Sequence, residues 1–424
     1  MLRLLRNRSF ALVWGGGLVS LAGDWALITG LPLVVYQMTG STLAVGITLI
    51  ANSLPRLAFG SMAGVFVDRW DRRRTMMVAD VLLGLAILPL LLVASAEWLW
   101  LIAVVLLVES TILQFYRPAE AALLPRLVGT DELITANALS ALNQNLARLC
   151  GPLLGALLVA SSGIRGVVLV DAGSFVLAAL ALVLVEVDTR SMLDERGGRR
   201  VVAIWGEWLD GLSLLLTQRA PRVILFFMAF AGLGDGVMTA LFVPFATRVL
   251  HGDELTYGGL LSAQAVGGLL GSLALGRFGM RTAPALLLGF GGFLLGVIDF
   301  LIYFAPHVTP VVLVPLLLMV IVGGPAAATF TGFHTLVQTA VPDAFRGRIL
   351  GLLFATQALT SLAGMGLAGF LGETIGIVPV LTIDCVAYVI AGGLVLVLLG
   401  RGTSGTQTFV RPVNAASHAV PVAV

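Results

Sequence analysis

Apolar runs of about 20 residues recur twelve times along this chain of 424 residues, and they constrain its fold more than any other feature. An α-helix rises about 1.5 Å per residue, so about 20 apolar residues cross the roughly 30 Å of hydrocarbon in a bilayer. The pattern therefore predicts an all-α integral membrane protein with twelve transmembrane helices. The predicted spans cover roughly residues 9–37, 43–67, 75–95, 98–118, 135–160, 166–187, 222–249, 257–279, 283–305, 310–332, 347–372 and 377–399.

The composition argues against most classes of soluble protein. Hydrophobic residues make up 58% of the chain and charged residues 11%. No lysine occurs, which excludes a Walker-type ATPase site, and no HExxH motif is present, so we expect the chain not to be an enzyme. A net charge of +2 gives no support for a nucleic-acid partner. Cys150, Cys385 and the four histidines lack metal-ligand spacing, so we expect neither a metal nor a cofactor.

Arginines concentrate on alternate connections between the predicted spans. Short loops rich in positive charge stay in the cytoplasm, so both termini are predicted to be cytoplasmic, in the inner cell membrane. A polar stretch of about 30 residues divides the spans into two sets of six. We expect an N-terminal half (1–187), a cytoplasmic linker with an amphipathic helix (188–221), a C-terminal half (222–400) and a disordered cytoplasmic tail (401–424).

The two sets of spans match each other at an offset of about 212 residues. The clearest match is the pair of segments DAGSFVLA and DCVAYVIA, which begin at Asp171 and Asp384. Six helices is an even number, so two such units run in the same direction through the membrane. The sequence therefore predicts a parallel repeat. Further matching pairs are Asp24 and Asp235, Gly46 and Gly258, and Gly163 and Gly376.

The loop after the second span reads GVFVDRWDRRR and resembles the signature of the major facilitator superfamily in that loop. Asp71 stands where the general signature has glycine, and an acid there resembles the drug and macrolide efflux branch, which also includes siderophore exporters. Two further stretches resemble that branch, one at 117–139 and one at 341–348. The resemblance implies the major facilitator fold, with two halves that rock around a central cavity, and proton antiport.

The signature loop also suggests a conformational gate. Asp68 is placed to accept hydrogen bonds at a helix N-terminus, and the arginines are placed to pair with carboxylates across a closed cytoplasmic gate. The alternative is an ordinary positively charged loop on the cytoplasmic side. The expected gate residues are Gly64, Asp68, Arg69, Arg72, Arg73, Arg346 and Arg348.

The fifth span contains Gly151, Pro152 and Gly155, which resemble the antiporter motif of exporters, although Ala156 stands where a second glycine is usual. Proline removes a backbone N–H and kinks a helix, while glycine permits close packing. This element is therefore predicted to be a hinge, and a simple packing seam between helices is the alternative.

Ionisable side chains inside spans are costly, roughly 2.5–3.5 kcal/mol each, so each needs a partner, a wet cavity or a function. The candidates for proton coupling and cavity lining are Asp24, Arg56, Glu109, Arg148 and Asp235. In one interpretation the acids face a central cavity and exchange protons. In the other, Asp24 with Arg56 and Glu109 with Arg148 form permanent salt bridges, because the members of each pair lie at similar predicted depths. Both interpretations stay open here.

Three further sets of residues receive weaker expectations. Asp171 and Asp384 lie near the predicted outer ends of their spans, where an interfacial role is favoured over proton exchange. Asp299 also lies deep in a span. Trp14 is one of several aromatic residues that either line a pocket for apolar compounds or pack against neighbours.

Together these features predict a secondary active transporter that exports hydrophobic or amphipathic small molecules, such as drugs or macrolides, from the cytoplasm by proton antiport and alternating access. Its expected partners are the small-molecule substrate, protons and the lipid bilayer, and it is expected to act as a monomer. A siderophore exporter, a lipid exporter and an importer of the same fold are the alternatives.

Overall fold

The computed structural model describes residues 4–59, 63–67, 70–129, 132–186, 217–278, 282–341 and 343–400. Within these ranges, eleven continuous helices are long and apolar enough to cross a membrane. One of them, Leu133–Val183, contains two spans, because Gly163 interrupts it with non-helical backbone angles of φ 61° and ψ −153°. The prediction of an all-α protein with twelve spans is confirmed.

We number the spans α1 to α12 in chain order. The first half contains α1 (Arg8–Thr39), α2 (Thr42–Phe59), α3 (Arg72–Ile87), α4 (Leu99–Leu127), α5 (133–162) and α6 (164–183). The second half contains α7 (Arg219–Pro244), α8 (Glu254–Phe278), α9 (Pro284–Val308), α10 (Leu313–Ala340), α11 (Asp343–Thr374) and α12 (Ile377–Leu399). Short helices Ala63–Val67, Leu88–Leu92 and Phe245–Val249 follow α2, α3 and α7.

Side-chain caps fix where the first and third spans begin. The side chain of Asn7 accepts a hydrogen bond of 3.2 Å from the backbone N–H of Phe10 at the start of α1. Asp71 accepts one of 2.9 Å from the N–H of Arg74 at the start of α3. Both caps satisfy backbone donors that have no partner within the helix. The acid that departs from the general signature therefore starts a helix.

Equivalent helices of the two halves make equivalent contacts. In the first half, α1 packs against the α5–α6 pair, α4 packs against α2 and α3, and α3 packs against α6. In the second half, α7 packs against α11 and α12, α10 packs against α8 and α9, and α9 packs against α12. This correspondence confirms the parallel repeat of six-helix units.

The repeat extends to the backbone. Gly163 and Gly376 both have positive φ, 61° and 97°, at the junctions between α5 and α6 and between α11 and α12. Only glycine adopts such angles without strain. An aspartate follows each of these glycines by eight residues, Asp171 in α6 and Asp384 in α12. The same backbone conformation of glycine therefore lets the chain reverse direction at the equivalent junction of each half.

The halves meet through two crossings, α2 with α11 and α5 with α8. The matching glycines lie at these crossings. A Cβ added at Gly46 of α2 would lie 3.0 Å from the carbonyl oxygen of Met365, and one added at Gly258 of α8 would lie 2.7 Å from that of Pro152. Glycine thus lets the backbones approach closely, as is usual between helices in membranes.

We call the end of the molecule that carries the connections 40–41, 93–98, 163, 250–253, 309–312 and 375–376 the outer end, and the opposite end, where α1 begins, the inner end. The predicted topology places the inner end in the cytoplasm. Asp68 and Arg69 of the expected gate, most of the expected linker with its amphipathic helix, and the tail lie outside the described residues.

The fourth span is longer than predicted. The sequence indicates a span that ends at residue 118, because arginine and proline follow one another there. The helix instead continues through Pro118 and Pro125 to Leu127. Two more charged residues, Glu120 and Arg126, therefore belong to α4.

Replacing Gly163 by alanine is expected to destabilise the protein by about 1–3 kcal/mol, because a Cβ strains this backbone conformation. Thermal unfolding of the purified protein in detergent measures the effect. Gly173→Ala in α6 is the matched control, because Gly173 is helical and has open space where the methyl group would lie. A midpoint for Gly163→Ala equal to that of the control would contradict the required backbone conformation.

Candidate functional site

Two aspartates occupy equivalent positions in the two halves. Asp24 is the seventeenth residue of α1 and Asp235 is the seventeenth residue of α7. Asp235 is exposed and Asp24 is half-buried, although both lie far from the helix ends. In a bundle of spanning helices, exposed charged side chains at this depth belong to a cavity between helices. We therefore take these two residues as the reference points of a central cavity between the halves.

Charged side chains from both halves converge on Asp235. Arg56 of α2 and Arg148 of α5 are its strongest opposite charges, and both arginines are exposed. Arg56 and Asp235 interact across the boundary between the halves. The site is therefore shared by the two halves.

Asp24 has different neighbours from those expected. Its strongest opposite charge is Arg117 of α4, and Glu120, one turn further along α4, repels it. The Oδ1 atom of Asp24 is buried and accepts no hydrogen bond from the described residues. The pairing of Asp24 with Arg56, one of the two open interpretations, is not found among the described residues, since the cation that acts on Asp24 is Arg117 and Arg56 acts on Asp235.

The expected pairing of Glu109 with Arg148 is also replaced. Glu109 is 2% exposed, and its Oε2 atom accepts no hydrogen bond within the described part of the chain. Its strongest charged neighbour is Asp24, whereas Arg148 acts on Asp235. Helical depth alone predicted these pairs, and depth does not specify which face of a helix a side chain occupies.

Asp171 and Asp384 are more buried within the protein than predicted. Both are 0% exposed and pack against the glycines that precede the cavity aspartates. A Cβ at Gly23 would lie 2.5 Å from Oδ1 of Asp171, and one at Gly234 would lie 2.6 Å from Oδ1 of Asp384. The interfacial role favoured by the sequence is therefore corrected to a buried contact between the first and sixth helices of each half.

Hydrogen bonding differs between these two buried aspartates. The hydroxyl of Tyr303 in α9 donates a hydrogen bond of 3.0 Å to Oδ2 of Asp384. The hydroxyl of Ser174, one turn along α6, lies near Oδ1 of Asp171 at 3.4 Å. Asp299, also in α9, is 1% exposed and interacts with Asp384. The second half therefore contains a buried cluster of three polar residues, Asp299, Tyr303 and Asp384, and Asp384 lies against the glycine that precedes Asp235.

Three charged residues of the first half were missed at the sequence level. Asp80 of α3 is 0% exposed, and neither of its carboxylate oxygens accepts a hydrogen bond from the described residues. It interacts with Asp24 and with Glu120. Arg117 and Glu120 were placed at or beyond a span end, because that span was predicted to stop at residue 118. The sequence signal for all three is a charge inside a long apolar run.

The predicted hinge lies between two neighbours of α5. A Cβ at Gly151 or Gly155 would collide with α1 at Trp25 or Ala26, and the carbonyl of Pro152 faces Gly258 of α8. The Gly-Pro element thus packs against its own half on one side and the other half on the opposite side.

Two arginines of the expected gate bind helix ends in their own half. The guanidinium of Arg73 donates hydrogen bonds of 2.7 Å to the carbonyls of Leu182 and Val183 at the end of α6. The guanidinium of Arg346 donates one of 2.7 Å to the carbonyl of Gln338 near the end of α10. These bonds satisfy carbonyls that have no partner within the helix. Gly64 lies in the short helix Ala63–Val67, and Arg72 begins α3.

The second gate arginine beyond α10, Arg348, lies over the ring of Phe345, with its guanidinium carbon 5.5 Å from the ring centre. This is a cation–π distance within one turn of α11. These contacts of Arg73, Arg346 and Arg348 each lie within a single half.

Hydrogen bonds join the two halves at the outer end. The Ser41 hydroxyl donates to the carboxylate of Glu373, and the Thr42 hydroxyl donates to the carbonyl of Gly369 at 2.8 Å. On the other side of α1, Gln37 donates to Glu254 at 2.6 Å. We call these three hydrogen bonds, together with the contacts of Arg248 described next, the outer closure.

Arg248 completes the outer closure. Its guanidinium donates a hydrogen bond of 2.6 Å to the carbonyl of Gly40 and lies 5.0 Å from the centre of the Tyr36 ring. Nearby, Asp253 caps α8 by accepting hydrogen bonds from the N–H and hydroxyl of Thr256. These hydrogen bonds lower the pKa of Asp253 below its ordinary value. The ends of α1, α7 and α8 are thus ordered beside the closure.

Among the described residues, no group of three or more histidine, cysteine, aspartate or glutamate side chains is arranged to hold a metal ion. The charged groups that this arrangement brings together are carboxylates and guanidinium groups, which can hold a proton, an organic ion or each other.

Comparison with known proteins identifies the fold and the family. Residues 2–407 match the family model described as transmembrane secretion effector. The chain resembles the crystal structure of a bacterial homologue of the iron transporter ferroportin in an inward-facing state, with a TM-score of 0.72 and 19% identity, over 93% of this chain and 98% of that one.

Two relatives are named for efflux. The multidrug efflux pump Tap of Mycolicibacterium fortuitum is 28% identical over 84% of this chain and 87% of its own length. Macrolide efflux protein A of Streptococcus pyogenes is 24% identical over 87% of this chain and 90% of its own length.

Replacing Glu373 by alanine is expected to loosen the outer closure, because the hydroxyl of Ser41 and the backbone N–H of Leu43 both donate to this carboxylate. Spin labels at Ala96→Cys and Val308→Cys, in a background with Cys150→Ser and Cys385→Ala, report the distance between the halves at the outer end. We expect the distribution to shift toward longer distances.

Glu97→Ala is the control, because Glu97 is an exposed carboxylate at the same end, in the short helix Ala96–Trp98 of the first half. Identical distance distributions for Glu373→Ala and Glu97→Ala would show that Glu373 does not hold the halves together.

Proposed function

Because the chain belongs to the transmembrane secretion effector family of major facilitator transporters, we propose that it exports hydrophobic or amphipathic small molecules from the cytoplasm in exchange for protons. The observation that carries this proposal is the cluster of carboxylates around Asp24. Asp24 interacts with Arg117 and Glu120, and Asp80, Glu109 and Asp171 in turn interact with Asp24.

Proton exchange is supported by burial without hydrogen bonds. An unpaired charged carboxylate inside a protein loses the hydration that stabilises its charge, and a bound proton removes that cost. Oδ1 of Asp24 has no hydrogen-bond partner among the described residues, and Asp24 is half-buried near the middle of α1. A carboxylate that is dry in one conformation and wet in the other is suited to bind and release a proton as access alternates.

Alternating access is supported by where the halves touch. The outer closure and the two helix crossings hold the halves together near the outer end, while Arg56, Arg148 and Asp235 remain exposed between them. In our proposal this conformation takes up substrate from the inner end. Rocking about the α2–α11 and α5–α8 crossings, with Gly151, Pro152 and Gly155 as the hinge, then opens the outer end.

The gate belongs to the opposite conformation. We propose that Asp68 and Arg69, with Gly64, Arg72, Arg73, Arg346 and Arg348, close the inner end when the outer end opens. The hydrogen bonds of Arg73 and Arg346 to helix ends place these arginines at that end.

The proposed direction of transport and the proposed class of substrate rest on the names of similar proteins. Two proteins that are similar over most of the chain are named for multidrug and macrolide efflux. We propose the same direction and a related range of substrates here. Placement in the inner cell membrane with both termini cytoplasmic is supported by the arginines at the inner end, and we propose that a single chain forms the transport unit.

One observation favours a second candidate. Arg56, Arg117 and Arg148 are all exposed near the cavity, and arginine binds carboxylates and phosphates with matched geometry. These residues support an anionic amphiphile, such as a siderophore or a lipid, as the alternative substrate.

Inside-out membrane vesicles with an acid interior test the proposal. A pH-sensitive dye reports escape of protons as macrolides, tetracyclines, cationic dyes and siderophores are added. We expect escape with some compounds and at least a tenfold slower response in Asp24→Asn, because an asparagine side chain cannot bind and release a proton.

Asp253→Asn is the control, since Asp253 is a carboxylate outside the spans and asparagine also caps helices. Unchanged substrate-driven proton release in Asp24→Asn would exclude Asp24 as the coupling residue. Release with siderophores alone would favour the second candidate, and substrate flux without any proton movement would exclude antiport.

A further inference from the structure

A groove runs between α9 and α10 on the surface of the second half, toward the inner end. Its volume is about 360 Å³. Leucine and phenylalanine side chains of α9 form one wall, and Gly324, Pro325 and Ala328 of α10 form the other. Thr282, just before α9, lines its inner end. The described residues that line the groove include none of the cavity or gate residues.

The groove faces the hydrocarbon of the bilayer. The ninth span packs against α10 and α12, whereas the crossings between the halves involve α2, α5, α8 and α11. On the side of α9 that borders the groove, Phe290 is 54% exposed and Leu294 is 45% exposed. Large apolar side chains that a spanning helix turns away from its neighbours face lipid tails. The molecules around this groove are therefore lipids.

Glycine at position 324 leaves space in the wall formed by α10. A Cβ added at Gly324 would have no heavy atom within 4 Å, although the other side of the same backbone is packed closely against Gly271 of α8. The next residue, Pro325, has no N–H to donate to the carbonyl of Ile321 one turn earlier. The groove thus borders α10 where its backbone hydrogen bonding is interrupted.

The groove has the length of a lipid tail. From Pro284, where α9 begins, to Leu294, the helix rises about 15 Å at 1.5 Å per residue. The hydrocarbon of a bilayer is roughly 30 Å thick, so this length equals the depth of one leaflet. A groove that starts at the inner end and has this length can hold one acyl chain of the leaflet on that side.

The connection between α8 and α9, at the inner end of the groove, is positively charged. Arg277 is exposed in the last turn of α8, and Arg281 directly precedes Thr282 in the sequence. No acidic residue occurs in the sequence between Glu254 and Asp299. Arginine binds phosphate groups with matched geometry, and basic pockets between spanning helices bind anionic headgroups.

The headgroup rather than the tail selects the lipid. Lipid tails are as apolar as leucine, so an acyl chain gains little from the hydrophobic effect when it enters the groove. Packing contacts determine where the chain lies, and attraction between phosphate groups and arginine distinguishes an anionic lipid from a neutral one.

We propose that this groove binds an anionic phospholipid of the leaflet that surrounds the inner end, with one acyl chain between α9 and α10 and the headgroup beside Arg277 and Thr282. This site goes beyond the proposed function, because no step of the inference depends on proton exchange or on the transported compound. The bound chain fills the space beside Gly324 and adds packing contacts to α10 where Pro325 interrupts its backbone.

Native mass spectrometry of the full chain in detergent tests the proposal with phosphatidylglycerol, which is anionic, and phosphatidylcholine, which has no net charge. The two lipids are added in equal amounts, and the protein with one bound lipid is counted for each. We expect phosphatidylglycerol to bind preferentially, and about tenfold less tightly to Gly324→Leu, because a leucine side chain occupies the groove. Gly173→Leu in α6 is the matched control, because Gly173 is half-buried and also has open space at its Cβ position.

Replacing Arg277 by glutamine tests the headgroup position. We expect the preference for phosphatidylglycerol to fall about fivefold, the contribution of one arginine near a membrane surface. Arg126→Gln is the control, because Arg126 is an exposed arginine in the last turn of α4, also at the inner end. If Gly324→Leu fails to fold in a thermal-unfolding check, Ala328→Leu fills the groove from the next turn of α10 and takes its place.

Equal binding of the two lipids would overturn the proposal, and so would equal binding of phosphatidylglycerol to Gly324→Leu and Gly173→Leu. The same loss of preference in Arg277→Gln and Arg126→Gln would place the anionic lipid around the whole inner end instead of in the groove. Displacement of the bound lipid by a macrolide would assign the groove to the substrate.

Discussion

The absence of water in the hydrocarbon of a bilayer determines the rest of this structure. Every backbone donor and acceptor there must be satisfied within the protein, so the described residues inside the membrane are helical, and charged side chains have to lie between helices. The chain follows this constraint at every level. Its charged residues in the spans collect around the boundary of the two halves or behind the two cavity aspartates, and its helix ends are capped by Asn7, Asp71, Arg73 and Arg346.

Glycine then determines how closely the helices approach. Gly46 and Gly258 bring the halves together at the two crossings, and Gly23 and Gly234 bring the first helix of each half against a buried aspartate of the sixth. Because lipid gives helices little hydrophobic reason to associate, close packing of small residues is a main source of helix association. The same contacts place Asp24 and Asp235 at matching depths. Packing and the position of the charges are therefore parts of one arrangement.

The sequence was sufficient for the fold but not for the partners of the charges. Apolar runs predicted twelve spans, and the offset between matching aspartates and glycines predicted the parallel repeat, because length and period are properties of the chain itself. The partners of Asp24 and Glu109 depend on helix rotation, which the sequence does not specify. The long apolar runs predicted that Asp24 is deep, yet Glu120 as one of its neighbours required knowing that α4 continues beyond Pro118. Asp71 shows the reverse case, in which a departure from the expected signature has a local explanation as a helix cap.

The tight reversals at Gly163 and Gly376 also determine what the protein presents to its surroundings. Two of the six outer connections amount to a glycine and at most two neighbours, and another spans only residues 40–41. A protease needs several residues of extended chain to bind, and an antibody needs an accessible surface of comparable size. An outer end built from such short connections offers little to either, so protease cleavage and antibody binding at that end are confined to the longer connections, such as 93–98.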